Sequence, residues 1–236
     1  GDVLQAHQRG GLQRLRGIRG NGLSMVFQDP MSSLNPIMRI GDQITEAIHG
    51  KGRTSAAQAR DRAVRLMQLV GIPDPALRLA DYPHRFSGGM RQRVMIAMAL
   101  ANEPEVIIAD EPTTALDVTV QAQILDVLAD INRQLDTAII LITHNLGVVA
   151  RSCDRVAVMY AGRIVEQART TALFADPRHP YTQALLAATP RLLASRTRAL
   201  MPIEGQPPNL AEPITGCAFA PRCHFAHAAC QQQPPT

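Results

Sequence analysis

The stretch that decides the fold runs from Val106 to Pro112 and reads Val-Ile-Ile-Ala-Asp-Glu-Pro. A second short run, Ala138–Thr143, is also apolar and rich in β-branched residues, and it is followed by His144. Such runs are typical of strands that are buried on both faces of a parallel sheet. Between them, apolar residues recur at helical spacing over Val118–Leu135, which predicts the crossover helix that parallel strands require. The centre of the chain therefore predicts an α/β fold.

The sequence on either side extends this pattern. Upstream, Leu23–Gln28 predicts another strand, the region from Ile40 to Ala80 predicts helices, and Arg91–Ala101 predicts one more helix. Downstream, Arg155–Tyr160 is followed by Ala161-Gly162 and a second short run, which predicts a β-hairpin. Further on we expect two short helices, at Thr170–Ala175 and Tyr181–Ala188, and a proline-rich, linker-like segment at Arg191–Pro213.

The composition excludes several classes of protein. With 236 residues, 46% of them hydrophobic and 19% charged, the chain can bury a core. No apolar run approaches the ~18 residues that a membrane-spanning helix needs, and the first residues lack the apolar core of a signal peptide. The net charge of +4 is mild, tryptophan is absent and aromatic residues make up 3% of the chain. This composition disfavours a nucleic-acid-binding module, which would cluster its basic residues with aromatic ones.

Polar side chains follow three of the predicted strands. Ligands bind beyond the carboxyl ends of parallel strands, where Asp110 and Glu111 lie together. Asp110 suits a metal ion, and Glu111 suits the activation of a water molecule. His144 could reach a phosphate or orient a carboxylate, and Gln28 could ligate a metal or a water. The alternatives are solvated strand ends and a structural histidine.

The segment Phe86–Arg93 precedes a predicted helix. Ser87 suits the N-cap position, while Gly88 and Gly89 would let a phosphate approach the backbone closely. The free N–H groups of a helix N-terminus also attract phosphate. The alternative is an ordinary capped helix start.

The order of these motifs resembles that of the ATPases of ABC transporters. The resemblance covers roughly residues 1–167. It is closest to the ATPase subunits of oligopeptide, dipeptide and nickel importers, because of the sequences Phe27–Pro36, Phe86–Arg93 and His179-Pro180-Tyr181-Thr182, with the cysteines that follow. The matching motifs are the Q-loop at Gln28, the signature at Ser87-Gly88-Gly89, the Walker B motif at Asp110-Glu111-Pro112, the D-loop at Ala115-Leu116-Asp117 and the H-loop at His144.

The resemblance implies a P-loop NTPase-like ATPase domain at residues 1–167, with a helical subdomain at about 40–100. Residues 168–236 would form an importer-type extension with a cysteine cluster. It also implies a head-to-tail pair of ATPases that bind ATP with Mg²⁺ between them. By this resemblance, Ser87, Gly88 and Gly89 would contact the ATP held by the partner, and Gln28 and Asp110 would bind Mg²⁺. Glu111 would polarise the attacking water, and His144 would align that water with the γ-phosphate. Asp117 would signal across the dimer.

The partners implied by the resemblance are a second ATPase subunit (a paralogue or a copy), two membrane permease subunits and, indirectly, a substrate-binding protein, with no nucleic acid. The helical segment between Gln28 and Ser87 would contact the permease. The location implied is peripheral, on the cytoplasmic face of the bacterial inner membrane. The sequence leaves open whether the transported solute is a peptide, nickel or another small solute.

The sequence departs from the family at the P-loop. That motif, Gly-x-x-x-x-Gly-Lys-Ser/Thr, cradles the nucleotide phosphates. Lys51 is the only lysine, and it is followed by Gly52 where the motif needs Ser or Thr. We therefore expect the chain to be truncated at both ends and unable to bind ATP tightly by itself. The alternative is a natural ATPase without a P-loop.

Three cysteines, Cys217, Cys223 and Cys230, lie close together near the end of the sequence. Importer subunits of this type can carry a [4Fe–4S] cluster there, so we expect these thiols to be ligands in the full-length protein. A zinc site that includes His224 or His227 and a set of unligated thiols are the alternatives. The importer-type tail from His179 to Cys230 decides against an ABC-type ATPase outside transport, whereas a regulatory domain without hydrolysis stays open as an alternative.

Overall fold

The computed structural model describes residues 17–49, 54–114, 116–189 and 202–233. The chain divides into two compact units, residues 1–144 and residues 145–236. The hairpin predicted at Arg155 and beyond lies in the second unit, and the division after Gln167 that the resemblance implies stays a prediction. Lys51, Ala115 and the first half of the expected linker at Arg191–Pro213 lie outside the described residues. Among the described residues, every helix is too short or too polar to serve as a membrane span.

In the described part of the first unit, three strands form a parallel sheet in the order β1-β2-β3. Val26 pairs with Ala109, and Asp110 pairs with Ile142, so the carboxyl ends of the strands lie at one edge. The predicted α/β fold is confirmed. Its elements are β1 (Leu23–Val26), α1 (Pro30–Ser33), α2 (Ile40–His49), α3 (Ala56–Leu69), α4 (Pro75–Arg78), a 3-10 turn (Pro83–Arg85), α5 (Gly88–Ala99), β2 (Val106–Asp110), α6 (Val118–Leu135) and β3 (Ala138–Ile142).

Helix α6 is the crossover between β2 and β3, with the bounds that the periodicity predicts. Asp117 caps its first turn by accepting a hydrogen bond from the Val120 amide at 3.0 Å. The helix ends at Leu135, and the left-handed backbone of the next residue, Asp136, turns the chain toward β3. Its buried face joins the core through Ile124, Leu125, Val127, Leu128 and Ile131.

The sheet is buried less evenly than the sequence predicts. In β2, Ile107 and Ala109 are fully buried. On the other face, the aligned residues Met25 and Ile140 are exposed, and so is Ile142. The prediction that β3 is buried on both faces is therefore wrong for the part of the chain that the structure describes, because no described helix covers that face.

The helical segment is tied to the rest of the first unit by two polar side chains, the buried Gln43 and the half-buried Arg93. The Gln43 side chain accepts a hydrogen bond from the Asn35 amide and donates to the carbonyls of Asn35 and Met38. These bonds close the loop between α1 and α2. At the other end, the Arg93 guanidinium donates to the Val70 carbonyl at 2.6 Å, and burial lowers the pKa of this group. Both contacts fix the loops that flank the helices of this segment.

The second unit contains an antiparallel hairpin of β4 (Arg155–Tyr160) and β5 (Arg163–Arg169), as predicted. Ala161 and Gly162 both have positive φ, the geometry of a tight hairpin turn. The rings of Tyr160, Tyr181 and Phe219 pack together, with centroids 4.5–5.4 Å apart. The remaining elements are α7 (Leu146–Ser152), α8 (Thr170–Ala175), α9 (Pro180–Ala188), a 3-10 turn (Ala220–Arg222) and α10 (Ala228–Gln232).

Candidate active site

Three of the predicted site residues meet at the carboxyl edge of the sheet. Gln28 follows β1, Glu111 follows β2 and His144 follows β3. The Gln28 amide nitrogen donates to Glu111 Oε2 at 2.9 Å, and His144 Nδ1 lies 2.9 Å from Glu111 Oε1. Since a carboxylate only accepts hydrogen bonds, Nδ1 carries the proton in this contact. The parallel sheet thus gathers side chains that lie far apart in the sequence around one carboxylate.

The backbone at Glu111 is unusual. Its φ is +44°, in the left-handed region that residues with a side chain seldom adopt. The Glu111 amide donates to the Ile142 carbonyl at 2.9 Å, and its carbonyl accepts from the Thr114 amide at 3.1 Å. Such a conformation costs about 1–3 kcal/mol and persists only where the surrounding structure holds it. Strained residues of this kind cluster at functional sites, which supports a chemical role for this turn.

The surroundings of Glu111 favour its ionised form. The hydrogen bond with His144 and then that from the Thr114 hydroxyl hold the pKa of this carboxyl below its usual range. The Thr114 hydroxyl donates a hydrogen bond to Glu111 Oε2 at 2.9 Å. The sequence analysis did not identify Thr114 as a site residue. The Glu111 side chain keeps 26% of its surface exposed, so water can reach it. An ionised, accessible carboxylate can polarise a water molecule.

Oxygen donors suited to Mg²⁺ lie beside this cluster. Asp110 ends β2, is half-buried and makes no side-chain hydrogen bond or ion pair among the described residues. Gln28 uses its amide nitrogen on Glu111, which leaves its amide oxygen available. Mg²⁺ prefers carboxylate and carbonyl oxygens. The donor chemistry at Asp110 and Gln28 therefore fits the ion that the resemblance implies.

Helix α5 begins at Gly88, three residues before the predicted start at Arg91, and Ser87 is its N-cap as predicted. The Ser87 hydroxyl accepts a hydrogen bond from the Met90 amide at 3.3 Å and so caps the helix. Gly88 is exposed, whereas Gly89 is buried against α6. A Cβ atom at Gly89 would lie 2.4 Å from Val120 Cγ1. The absence of a side chain at Gly89 thus lets two helices pack, a role that the sequence analysis did not foresee.

The two glycines offer a matched test of that packing. We expect Gly89→Ala to lower the free energy of unfolding by about 1–3 kcal/mol, because Val120 is stiff in a helix and cannot easily move aside. Gly88→Ala should have a smaller effect, since its Cβ would meet only Leu116 Cδ2 at 3.4 Å. Chemical denaturation measures both, and Val120→Ala should offset part of the Gly89→Ala loss. Equal effects of the two alanine substitutions would contradict this packing role.

The three C-terminal cysteines are not gathered as ligands. Among the described residues, no group of three or more His, Cys, Asp or Glu side chains is placed to hold a metal ion. The backbone does bring two of the cysteines together, because the Cys217 amide donates to the Cys230 carbonyl at 2.8 Å. The Cys230 sulfur lies 3.6 Å from Nδ1 of the His227 ring. Cys153 is half-buried, and burial raises the pKa of its thiol.

The sequence is similar to known protein families and to individual curated proteins. Two family patterns match: the one described as ABC transporter at residues 5–114, and the oligopeptide/dipeptide transporter, C-terminal region at residues 165–230. The probable peptide ABC transporter ATP-binding protein y4tR of Sinorhizobium fredii is 55% identical, over 94% of this chain and 67% of its own length. The chain belongs to the ABC transporter ATP-binding family. This confirms the resemblance that the motifs indicated.

Other members of the family are nearly as similar. The oligopeptide transport ATP-binding protein OppD of Bacillus subtilis is 54% identical over 94% of this chain and 63% of its own. The dipeptide transport ATP-binding protein DppD of the same organism is 53% identical over 93% and 65%. The chain thus spans about two thirds of the length of these relatives.

Solved ABC ATPase structures share the fold. The ATP-binding cassette MJ0796, in a dimeric post-hydrolysis state bound to ADP and Pi, superposes with a TM-score of 0.58 and 27% identity, over 67% of each chain. The cbiO1 protein of Clostridium perfringens, part of the cbiONQ transporter complex, gives a TM-score of 0.62 with 30% identity, over 72% of this chain and 64% of that chain. These likenesses confirm the predicted ABC ATPase architecture.

Proposed function

We propose that this protein is the ATP-hydrolysing subunit of an ABC importer for peptides. The observation that carries the proposal is the carboxylate of Glu111, which is held by Gln28 and His144 at the carboxyl edge of the parallel sheet. The names of the relatives and the match at residues 165–230 favour peptides over nickel as the transported class. ABC ATPases in general bind ATP with Mg²⁺, and the donor set at Gln28 and Asp110 fits that ion.

The proposed chemistry assigns one task to each side chain. Glu111, which is ionised, accepts a proton from the attacking water and orients it. His144 fixes Glu111 Oε1, and its other ring nitrogen would bind water or phosphate. Gln28 and Asp110 would hold Mg²⁺, which would supply charge neutralisation at the phosphate oxygens. Ser87, Gly88 and Gly89 at the start of α5 bind the phosphate of an ATP held by the partner ATPase.

The proposed assembly follows the architecture of peptide importers. ATP-binding subunits of this kind generally work with membrane permease subunits. We place two such permeases, a second ATPase subunit and, indirectly, a substrate-binding protein around this chain, on the cytoplasmic face of the inner membrane. Asp117, whose side chain caps α6, would transmit the state of one ATPase to the other. Bound ATP would add contacts between the two ATPases and so favour the closed pair. Hydrolysis would remove those contacts and favour the open pair.

Transport tests the proposed substrate class. In proteoliposomes that hold the full-length protein with its permease, supplied with the binding protein, we expect uptake of labelled tri-alanine that requires ATP at the ATPase face. A labelled nickel salt serves as the competing substrate. ATP-driven nickel uptake without peptide uptake would contradict the peptide assignment and leave the ATPase assignment intact.

Nucleotide binding by the 236-residue chain is a separate prediction. The sequence holds no Gly-x-x-x-x-Gly-Lys-Ser/Thr motif, and the amides and lysine of that motif supply most contacts to the phosphates. We expect titration with a fluorescent ATP analogue to give a dissociation constant well above ~1 µM, which corresponds to a binding free energy weaker than about −8 kcal/mol. Micromolar binding by this chain would show that other residues hold the nucleotide.

The cysteine cluster stays a prediction for the full-length protein. The hydrogen bond from the Cys217 amide to the Cys230 carbonyl supports this prediction, since it brings the backbones of two of the three cysteines together. A [4Fe–4S] cluster prefers four thiolates, and this segment offers three. Anaerobic purification with iron and zinc analysis distinguishes an iron–sulfur cluster, a zinc site that uses His224 or His227, and unligated thiols.

A further inference from the structure

We infer that Thr114 is a positioning residue that fixes the Glu111 carboxylate through a hydrogen bond to Oε2. The inference rests on the proposed function of Glu111 and adds a residue to it. Thr114 lies three positions after Glu111 and closes the turn that contains it, with its amide 3.1 Å from the Glu111 carbonyl and its hydroxyl 2.9 Å from Oε2. Backbone and side chain of Glu111 are therefore held by the same residue.

The three contacts on the carboxylate differ in where they come from. His144 reaches Oε1 from the end of β3, and Gln28 reaches Oε2 from the end of β1. Thr114 belongs to the same four-residue turn as Glu111, so its contact is independent of the separation of the strand ends. Gln28 also carries the amide oxygen that suits Mg²⁺, so its side chain would have to contact both Mg²⁺ and the Glu111 carboxylate. Among the described residues, Glu111 is the one hydrogen-bond partner of the Thr114 hydroxyl.

The backbone of the turn makes this local bond important. At a φ of +44°, Glu111 has no regular helix or strand on its carboxyl side to orient its side chain. The ring of Pro112 fixes its own φ within the turn, and Thr114 closes the turn with its amide and hydroxyl hydrogen bonds to Glu111. Loss of the hydroxyl alone would leave Oε2 to Gln28 and solvent. The carboxylate would then sample more orientations, and fewer of them would align the attacking water.

The substitution that tests this is Thr114→Val, which keeps the shape and removes the hydroxyl. In the full-length protein we expect kcat for ATP hydrolysis to fall by about tenfold with KM for ATP unchanged. Thr114→Ser, which retains a hydroxyl, should stay within about twofold of the unsubstituted protein. Thr119→Val is the matched control, because Thr119 is exposed on α6 and makes no contact with Glu111. An unchanged kcat in Thr114→Val, beside an active unsubstituted protein, would overturn the inference.

A spectroscopic measurement separates this inference from the proposed function. In the nucleotide-free protein, Thr114→Val should shift the NMR signals of the Gln28 side-chain amide and the His144 ring, because both groups contact the same carboxylate. Thr114→Ser and Thr119→Val should leave those signals in place. If the unsubstituted protein hydrolyses no ATP, the proposed function fails while these shifts still decide the positioning role. Unshifted signals in Thr114→Val would overturn the inference whatever the activity.

Discussion

Glu111→Gln is expected to abolish nearly all ATP hydrolysis in the full-length protein while leaving ATP binding intact. Loss of a group that orients and deprotonates the attacking water costs on the order of 10²–10⁴ in rate. The glutamine keeps the size of the side chain and an acceptor oxygen for Gln28 or Thr114, so the fold of the site should persist. Phosphate release under saturating ATP measures the rate, and equilibrium binding of a labelled ATP measures affinity.

Glu105→Gln is the matched control for this prediction. Glu105 precedes β2 at the amino end of the strand, whereas Glu111 follows its carboxyl end. Both side chains are glutamates next to the same strand, and Glu105 is exposed. The control should hydrolyse ATP at the normal rate. Turnover by Glu111→Gln within a few-fold of the control would remove Glu111 from its assigned role.

His144→Ala is expected to have the second-largest effect, with kcat lowered on the order of 10²-fold. The ring holds Glu111 Oε1 at 2.9 Å and is 77% exposed, so its second nitrogen is free to reach a bound phosphate or water. Removing it takes away one of the contacts that orient the carboxylate and one group that aligns the reaction. ATP hydrolysis under saturating nucleotide measures the loss.

His84→Ala provides the comparison for this substitution. His84 is exposed in the 3-10 turn before α5, where its ring stacks on Tyr82. It makes no contact with Gln28, Glu111 or His144. Its replacement should leave kcat unchanged. If both histidine variants lose activity to the same extent, the loss reflects general damage to the unit and the role of His144 is contradicted.

The sequence predicts the central α/β elements well because their periodicity is strong. The bounds of α6 follow from apolar spacing, and the parallel order of the strands follows from short β-branched runs joined by a helix. The meeting of Gln28, Glu111 and His144 follows from one topological rule, since the carboxyl ends of parallel strands share an edge. Each of these signals depends on residue type and spacing alone.

Other features depend on contacts that no local pattern encodes. The packing role of Gly89 depends on its contact with Val120 on another helix. Two consecutive glycines in a sequence do not show whether they face a phosphate or a neighbouring side chain. The left-handed backbone of Glu111 is stabilised by Ile142 and Thr114, so sequence alone gives no sign of it. The exposed face of β3 differs from the prediction because burial depends on what covers a strand, which a run of apolar residues does not specify.

The most direct test of the central claim is a single-turnover measurement of bound ATP. Full-length protein is mixed with a substoichiometric amount of γ-labelled ATP and Mg²⁺, quenched at intervals and analysed for labelled phosphate. The account predicts that the unsubstituted protein and Glu105→Gln convert the bound ATP, while Glu111→Gln holds it unhydrolysed for at least ~10²-fold longer. Formation of labelled phosphate by Glu111→Gln at the rate of the control would contradict the assignment of Glu111, with Gln28 and His144, as the hydrolytic centre.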